Sequence, residues 1–344
     1  MVVPRASYLH FGGPIRHDAI LVLQRGANAS TDYYLRPRLR SEGRCEVVDI
    51  QSPPSRCALL APGGAGALFV IVCRYASPAW LDTLEAARDR LARVAFFMDD
   101  DLPEMIRDTA LPLAARGKVA SHFGEHVNRL SALASEVWVS TPNLAERYAA
   151  SNPMVLTPAP EADPPEPTRD PPRRVVYHGA DVHARERQFV VATARILAEL
   201  DPGAVVEVTG DAALRSACRG LGNVEIIQQL PWPDYLQRQQ GARAAIGLAP
   251  LEPSAVNRAR APVKAFDAAR LGAAGVFADV EPFSSFVRSG VDGMLLPMDP
   301  QMWAEAIAAL LNDPDRRLAL ARTARARLVT LRGEARALPP QPRA

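Results

Sequence analysis

Ala244–Leu296 reads AAIGLAPLEPSAVNRARAPVKAFDAARLGAAGVFADVEPFSSFVRSGVDGMLL. Its order of elements decides the fold: an apolar strand at Ala245–Ala249, a polar loop, a helix opening at Pro262, a short strand at Gly275–Ala278, a second helix, and a Gly-x-Asp-Gly turn at 290–293. Arg258, Arg260 and Lys264 crowd the start of the first helix, where the macrodipole is already positive and a cation is disfavoured. Free amides at a helix N-terminus, reinforced by basic side chains, form a phosphate site. Lys264 and Asp267 are three apart and share one helix face, and a carboxylate beside a phosphate cradle suits ribose hydroxyls. The pattern points to a nucleotide-diphosphate pocket, although a solvated Arg-rich loop with an ordinary Lys–Asp helix pair has the same spacing.

The same alternation of short aliphatic runs and helical patterns extends outward in both directions, as in an α/β doubly wound protein. In the first half the pattern predicts strands at 20–23, 46–49, 68–72, 94–98 and 137–140, with helices near 31–40, 79–90, 114–134 and 143–149. Thr157–Arg173 (TPAPEADPPEPTRDPPR) then interrupts the rhythm, because proline extends the backbone and continues neither a helix nor a strand. The second half restarts with strands at 174–177, 205–209, 224–227, 245–249, 275–278 and 294–296. Helices are expected near 185–200, 212–219, 232–243, 263–271, 283–288, 302–311 and 314–331. The expected organisation is an N-terminal Rossmann-like domain over 1–157, a proline-rich linker over 158–173, a C-terminal Rossmann-like domain over 174–332 and a disordered tail over 333–344. Two such domains would enclose a cleft lined by the loops that follow their strands.

A chain of 344 residues suits two domains of ordinary size. Net charge is only +2 and is evenly divided: residues 1–160 carry 17 basic and 16 acidic side chains, the remainder 23 and 22. This balance argues against nucleic acid as a partner. Of the 40 basic residues only Lys118 and Lys264 are lysines, the compact ammonium that serves phosphate as a point charge. Cys45, Cys57, Cys73 and Cys218 have neither metal-like spacing nor the density of a disulfide scaffold, so they read as small core residues in a reducing compartment. No signal peptide or membrane-spanning run is evident, and a cytoplasmic protein is expected. Asn28-Ala29-Ser30 then has no meaning as a glycosylation sequon.

Polar residues follow several strands. His178-Gly179 and His183 come after the first strand of the second half, and Gly210-Asp211 after the next; glycine there permits close approach of a phosphate or sugar. His183 could equally cap the helix that follows. Asp99-Asp100-Asp101 ends an apolar strand, and three roles are open to it: a metal on a diphosphate, acceptor hydroxyls, or a helix cap. Acceptor binding or capping is preferred, since the basic site in the second half makes a metal redundant. Arg36, Arg38 and Arg40 end a helix and could meet an acidic acceptor or the inner face of a membrane, or be solvated. Trp138, Trp232 and Trp303 read as packing residues.

The second half resembles the nucleotide-sugar domain of GT-B glycosyltransferases, in particular the large retaining group that includes many bacterial polysaccharide enzymes. The residues that carry the resemblance are Pro250-Leu251-Glu252, the run Asn257 to Lys264, Asp267 to Gly272, Gly290-Val291-Asp292-Gly293 and Asn312-Asp313-Pro314. In the first half Phe97 to Asp101 and Trp138 to Pro142 look like parts of a divergent acceptor domain. Family members usually carry Glu-x7-Glu here. Alignment on Gly272 puts Asp267 at the second, ribose-binding carboxylate and Ala259 at the first, so one carboxylate is missing. The resemblance implies sugar transfer from a nucleotide-diphosphate donor to a glycan, lipid-linked or small-molecule acceptor, with no obligatory metal. Lys264 and Asp267 would act at the reacting end, and His178, Gly179, His183, Gly210, Asp211, Asn257, Arg258 and Arg260 would line the nucleotide-sugar site. Asp99, Asp100 and Asp101 would face the acceptor. The alternatives are a non-catalytic nucleotide-sugar or glycan-binding relative, which Ala259 suggests, and a nucleotide-sugar epimerase.

Charge-assisted contacts contribute about 1.5–3 kcal/mol each. Lys264→Ala should therefore weaken UDP or GDP binding by about one to two orders of magnitude in calorimetry, and unchanged affinity would refute the assignment.

Overall fold

The computed structural model describes residues 16–61, 63–64, 66–179, 184–335 and 337–340. Within them the chain forms two compact units. The first runs to Glu161 and adds Ala259–Ala261 and the segment from Ala335; the second comprises Ala162–Arg258 and Pro262–Glu334. No helix among the described residues is long and apolar enough to cross a membrane.

The first unit begins with β1 (Ala19–Gln24), α1 (Arg36–Leu39), β2 (Cys45–Asp49), β3 (Leu68–Cys73) and α2 (Pro78–Ala86). It continues with β4 (Leu91–Met98), α3 (Leu102–Arg107), α4 (Leu113–Val119) and α5 (Val127–Leu133). β5 (Glu136–Val139), α6 (Pro142–Arg147) and β6 (Met154–Val155) complete it. The strands pair in parallel in the order β2-β1-β3-β4-β5-β6. Strand β1 (AILVLQ) and strand β3 (LFVIVC) are buried at every position. Such unbroken burial is the condition of a parallel strand covered on both faces, and it explains why these runs are apolar rather than alternating.

The second unit opens with β7 (Arg174–Tyr177), α7 (Ala184–Leu200), β8 (Val205–Thr209), α8 (Ala212–Ala217) and β9 (Val224–Ile227). Next come α9 (Trp232–Gln239), β10 (Ile246–Ala249), α10 (Ala255–Ala259) and α11 (Val263–Arg270). It ends with β11 (Ala274–Ala278), α12 (Phe283–Phe286), β12 (Met294–Leu296), α13 (Pro300–Asn312) and α14 (Pro314–Glu334). Its parallel order is β12-β11-β10-β7-β8-β9, so strand order reverses between β7 and β10. The first sheet reverses between β1 and β3. In open α/β sheets ligands bind outside the carboxyl ends of the strands at such a switch point.

Trp303 on α13, fully buried, packs edge-on against Phe189 of α7 and donates its indole N–H to Pro297 O at 2.8 Å. Trp138 is likewise buried and Trp232 half-buried. Cys57, Cys73 and Cys218 are buried and Cys45 is half-buried, all as free thiols.

The expected strands recur within a residue or two, except that β4 starts earlier and β6 was not expected, being two residues between Pro153 and Pro158. The single helix expected over 114–134 is instead α4, a π-turn at Ala120–Gly124, and α5. Gly124 is a weak helix former, and π-turns often mark functional sites. α3 was also not expected, although Asp101-Leu102-Pro103-Glu104 has a capping residue followed by proline and a glutamate three residues on. Of the segment after Glu334, expected to be disordered, residues 335 and 337–340 belong to the first unit: Leu338 is buried and Pro339 O accepts from Arg93 Nη2 at 2.8 Å.

Gly247 lets α11 lie against β10, since a Cβ there would approach the Ala268 Cβ at 2.6 Å and its Cα at 3.1 Å. Gly247→Ala should destabilise the protein by about 1–3 kcal/mol through overpacking. A denaturant midpoint unchanged from wild type would show that the two elements are free to separate.

Candidate functional site

Both switch points carry charged side chains. In the second unit, His178 directly follows β7 and is 8% exposed. Its Nε2 lies 2.8 Å from Glu207 Oε1, and a carboxylate can only accept, which places the ring proton on Nε2. Nδ1 is then turned to the Tyr235 hydroxyl at 3.2 Å and Gln239 Nε2 at 3.4 Å. The His178 carbonyl accepts from Lys264 Nζ, and the same ammonium donates to Asp267 Oδ2 at 3.0 Å. Arg270 Nη1 stands 3.8 Å from Asp267 Oδ1, with its guanidinium 5.5 Å from the centroid of the Trp232 ring. Lys264, Asp267, His178 and Tyr235 share a cavity of about 20 Å³ with Gly247 and Leu248 of β10. Room for a single water remains behind these groups.

Glu207 sits within a strand that is otherwise apolar apart from its last residue, and such a buried carboxylate must be paired. Beyond His178 it meets Arg174 Nη1 at 2.6 Å and Arg238 Nη2 at 3.1 Å. Burial pushes its carboxyl up, but the His178 hydrogen bond and the charges of His178, Arg238 and Arg174 outweigh that and hold it below the ordinary value. Burial and then the Asp267 charge hold the Tyr235 phenol well above its ordinary value.

In the first unit Arg74 follows β3 with φ 68°, a left-handed backbone that costs free energy in a non-glycine residue. Its guanidinium reaches Asp99 Oδ1 at 3.4 Å and Asp100 Oδ2 at 3.1 Å, and donates to Ser30 Oγ at 3.4 Å. Ser30 donates in turn to Asp99 Oδ2 at 2.6 Å. Burial, then the neighbouring Asp100, raises the Asp99 carboxyl against the opposing effects of Arg74 and Ser30. Burial and the charge of Asp99 push the adjacent Cys73 thiol up to about 12, so it is inert as a nucleophile. Asp101 is fully buried and caps α3, accepting from Glu104 N at 3.0 Å, with Arg147 Nε 3.0 Å from its other oxygen.

The structure thus gathers His178, Lys264 and Asp267 in the second unit. Arg260, which belongs to the first, lies with its Nε 3.2 Å from Asp100 Oδ1. Ala259 is fully buried, its carbonyl accepting from Thr141 Oγ1 at 2.9 Å. Arg258 is exposed on α10, and Asn257 there donates Nδ2 to Glu252 O at 2.8 Å. Gly179 has the Tyr177 hydroxyl 2.6 Å from where a Cβ would stand, and Gly210 is enclosed by Leu214 and Ile226. Asp211 caps α8, accepting from Leu214 N at 2.8 Å. His183 lies outside the described residues. Sequence reasoning passed over Arg74, Glu207 and Tyr235. Arg74 ends an apolar run and Glu207 interrupts one, and either signal was available; Tyr235 offered none, since only the packing of α9 brings it to His178.

No protein-family model matches the sequence, and a search of curated proteins gave no match. Solved structures do match by fold. HepE from Anabaena, determined with UDP-glucose, is 17% identical at a TM-score of 0.55, the match covering 93% of this chain and 98% of that one. Sucrose-phosphate synthase from Thermosynechococcus elongatus is 14% identical at 0.56, covering 91% and 94%. S. aureus TarM, determined with fondaparinux, alpha-GlcNAc-glycerol and UDP, is 11% identical at 0.55, covering 78% of this chain. The chain spans about half the length of TarM, 53%. The fold is α/β of the GT-B class, with two parallel six-stranded Rossmann-like sheets, as in these solved structures.

Because Glu207 is held below its ordinary value, its stabilising contribution is complete above the unfolded-chain value of about 4.3 and is lost as pH falls through the lower folded value. Wild type should exceed Glu207→Gln in stability at neutral pH, with the gap closing below about pH 4. Denaturant titrations across that range read the difference directly, and a gap that widens on acidification would contradict the pairing.

Proposed function

We propose that the protein transfers a sugar from a nucleotide-diphosphate donor to a glycan, lipid-linked or small-molecule acceptor. The observation that carries this reading is the Lys264–Asp267 pair on α11, held at the carboxyl end of β7 beside the point where the second sheet reverses. Lys264 and the first-turn amides of α11 would meet the charge that develops on the departing diphosphate, the electrostatic stabilisation such a departure requires. Asp267 would accept from the ribose hydroxyls, and His178, fixed by Glu207 and Tyr235, would border the sugar. With the diphosphate charge met in this way we take the reaction to need no obligatory metal, and we take the transfer to be retaining. HepE and TarM, determined with UDP-glucose and with UDP, support the choice of donor class. The Asp99–Asp100 side of the first unit is proposed to receive the acceptor. Four free cysteines are consistent with work in a reducing cytoplasm. Of the three arginines at the end of α1, Arg38 is buried and donates to Tyr34 O and Thr157 O, which leaves Arg36 and Arg40, paired with Asp32 and Glu161, to meet an acidic membrane face.

Ala259 favours a second reading, a nucleotide-sugar-binding relative without turnover: a fully buried methyl group stands where the resemblance would put a carboxylate. Donor binding with neither hydrolysis nor transfer across a broad acceptor panel would select it.

Thermal unfolding against UDP, GDP and their sugars tests the main reading. A ligand at about 100 times its Kd adds about 2.7 kcal/mol to stability, so one nucleotide series should raise the midpoint by several degrees. Asp267→Asn should remove most of that rise, and EDTA should leave it intact. A panel in which no nucleotide stabilises the protein would remove the proposal.

A further inference from the structure

The first unit holds a cavity of about 540 Å³, within the range of about 300–1,000 Å³ usual for small-molecule sites. It lies where that sheet reverses: Arg25 follows β1, Gln51 and Ser52 follow β2, and Ser77 and Ala79 open α2 after β3. The π-turn between α4 and α5 brings His122 to its wall, and His126 stands just beyond that turn. Among the described lining residues none is acidic.

The cations here are not balanced as Arg74 is. Arg74 is met by Asp99 and Asp100. Arg25 and Lys118 have no acidic partner among the described residues. Lys118, whose carbonyl lies 2.8 Å from His122 Nδ1, is pushed below its ordinary value by burial and then by the charges of Arg25 and Arg74. Of these cations Arg25 lines the volume, and an anion entering it would offset the repulsion between Arg25 and the nearby Lys118. The amino end of α2 adds to the field, because Ser77 provides no side-chain cap and the first-turn amides remain open.

We infer that this cavity takes the anionic end of the acceptor, a saccharide or polyol carrying a phosphate, sulfate or carboxylate group. The inference rests on the proposed reading of the first unit as the acceptor side and narrows the acceptor from any glycan to a charged one. Arg25 supplies the charge on the wall, Lys118 adds to it from one turn before His122, and Gln51, Ser52 and the two histidines are placed to engage hydroxyls.

Calorimetry on the full chain tests it, with glucose 6-phosphate, glucose 6-sulfate, glucuronate and glucose as probes. At least one anionic sugar should bind and glucose should not, and comparison among the three charged probes identifies the group. Arg25→Gln and Lys118→Gln should each weaken binding by about tenfold or more, Arg25→Lys should retain most of it, and Lys264→Ala should leave it unchanged. Thermal midpoints equal to wild type establish that these variants are folded. Binding of glucose as tight as that of the charged sugars, or affinity indifferent to Arg25 and Lys118, overturns the inference. Titration with UDP separates the two readings: a protein that binds glucose 6-phosphate but not UDP refutes the donor assignment alone, and one that binds UDP but no charged sugar refutes the anionic acceptor alone.

Discussion

A parallel strand covered on both faces has no room for polar side chains along its length, so its chemistry is displaced to its ends. That constraint organises both units. β3, and β1 up to its last residue Gln24, are apolar, both strands are buried throughout, and the first charged groups after them, Arg25 and Arg74, stand at their carboxyl ends. In the second sheet His178 follows β7 in the same way. Where strand order reverses, the loops of neighbouring strands part company and leave space between them. The cavity of the first unit and the His178–Lys264–Asp267 group of the second occupy corresponding positions in their own sheets.

Two buried carboxylates away from these positions are neutralised locally. Glu136, at the start of β5, is paired with Arg93, which also lies over the Phe69 ring and donates to the Pro339 carbonyl. Asp292 in the Gly-x-Asp-Gly turn accepts from Arg288 N at 2.7 Å and stands 3.3 Å from Arg327 of α14. A buried carboxylate left alone costs several kcal/mol, and each of these is satisfied by an arginine. Glu207 lies between the two cases. Its arginine partners serve stability, while its bond to His178 orients a ring at the switch point. This chain's near-exclusive use of arginine makes such forked pairing routine, and both of its lysines lie near the two candidate sites.

Much of the fold was legible in the sequence because its signal is local. Aliphatic runs of four to eight residues, separated by helical spacing, fixed eleven strand positions and most helices closely. What was missed had weak local signals: β6 is two residues long, and the break at Ala120–Gly124 depends on a π-turn that periodicity does not register. Of the site residues, Lys264 and Asp267 were visible as a three-residue spacing on one helix. Their link to the His178 carbonyl was not, because it joins residues 86 apart.

The sequence by itself determined the two α/β halves, the apolar strands and the identity of the charged residues that follow them, since each of these rests on neighbours along the chain. Only the tertiary structure decided which charges are already matched and which face open space. It gave Asp101 to the cap of α3, Asp99 to Arg74 and Ser30, and Asp100 to Arg74 and Arg260, while leaving Arg25 on the wall of a cavity without an acid among its described residues. The physical reason is range: backbone preference is set within a few residues, whereas the field at a binding site is the sum of charges that strand order brings together from distant parts of the chain.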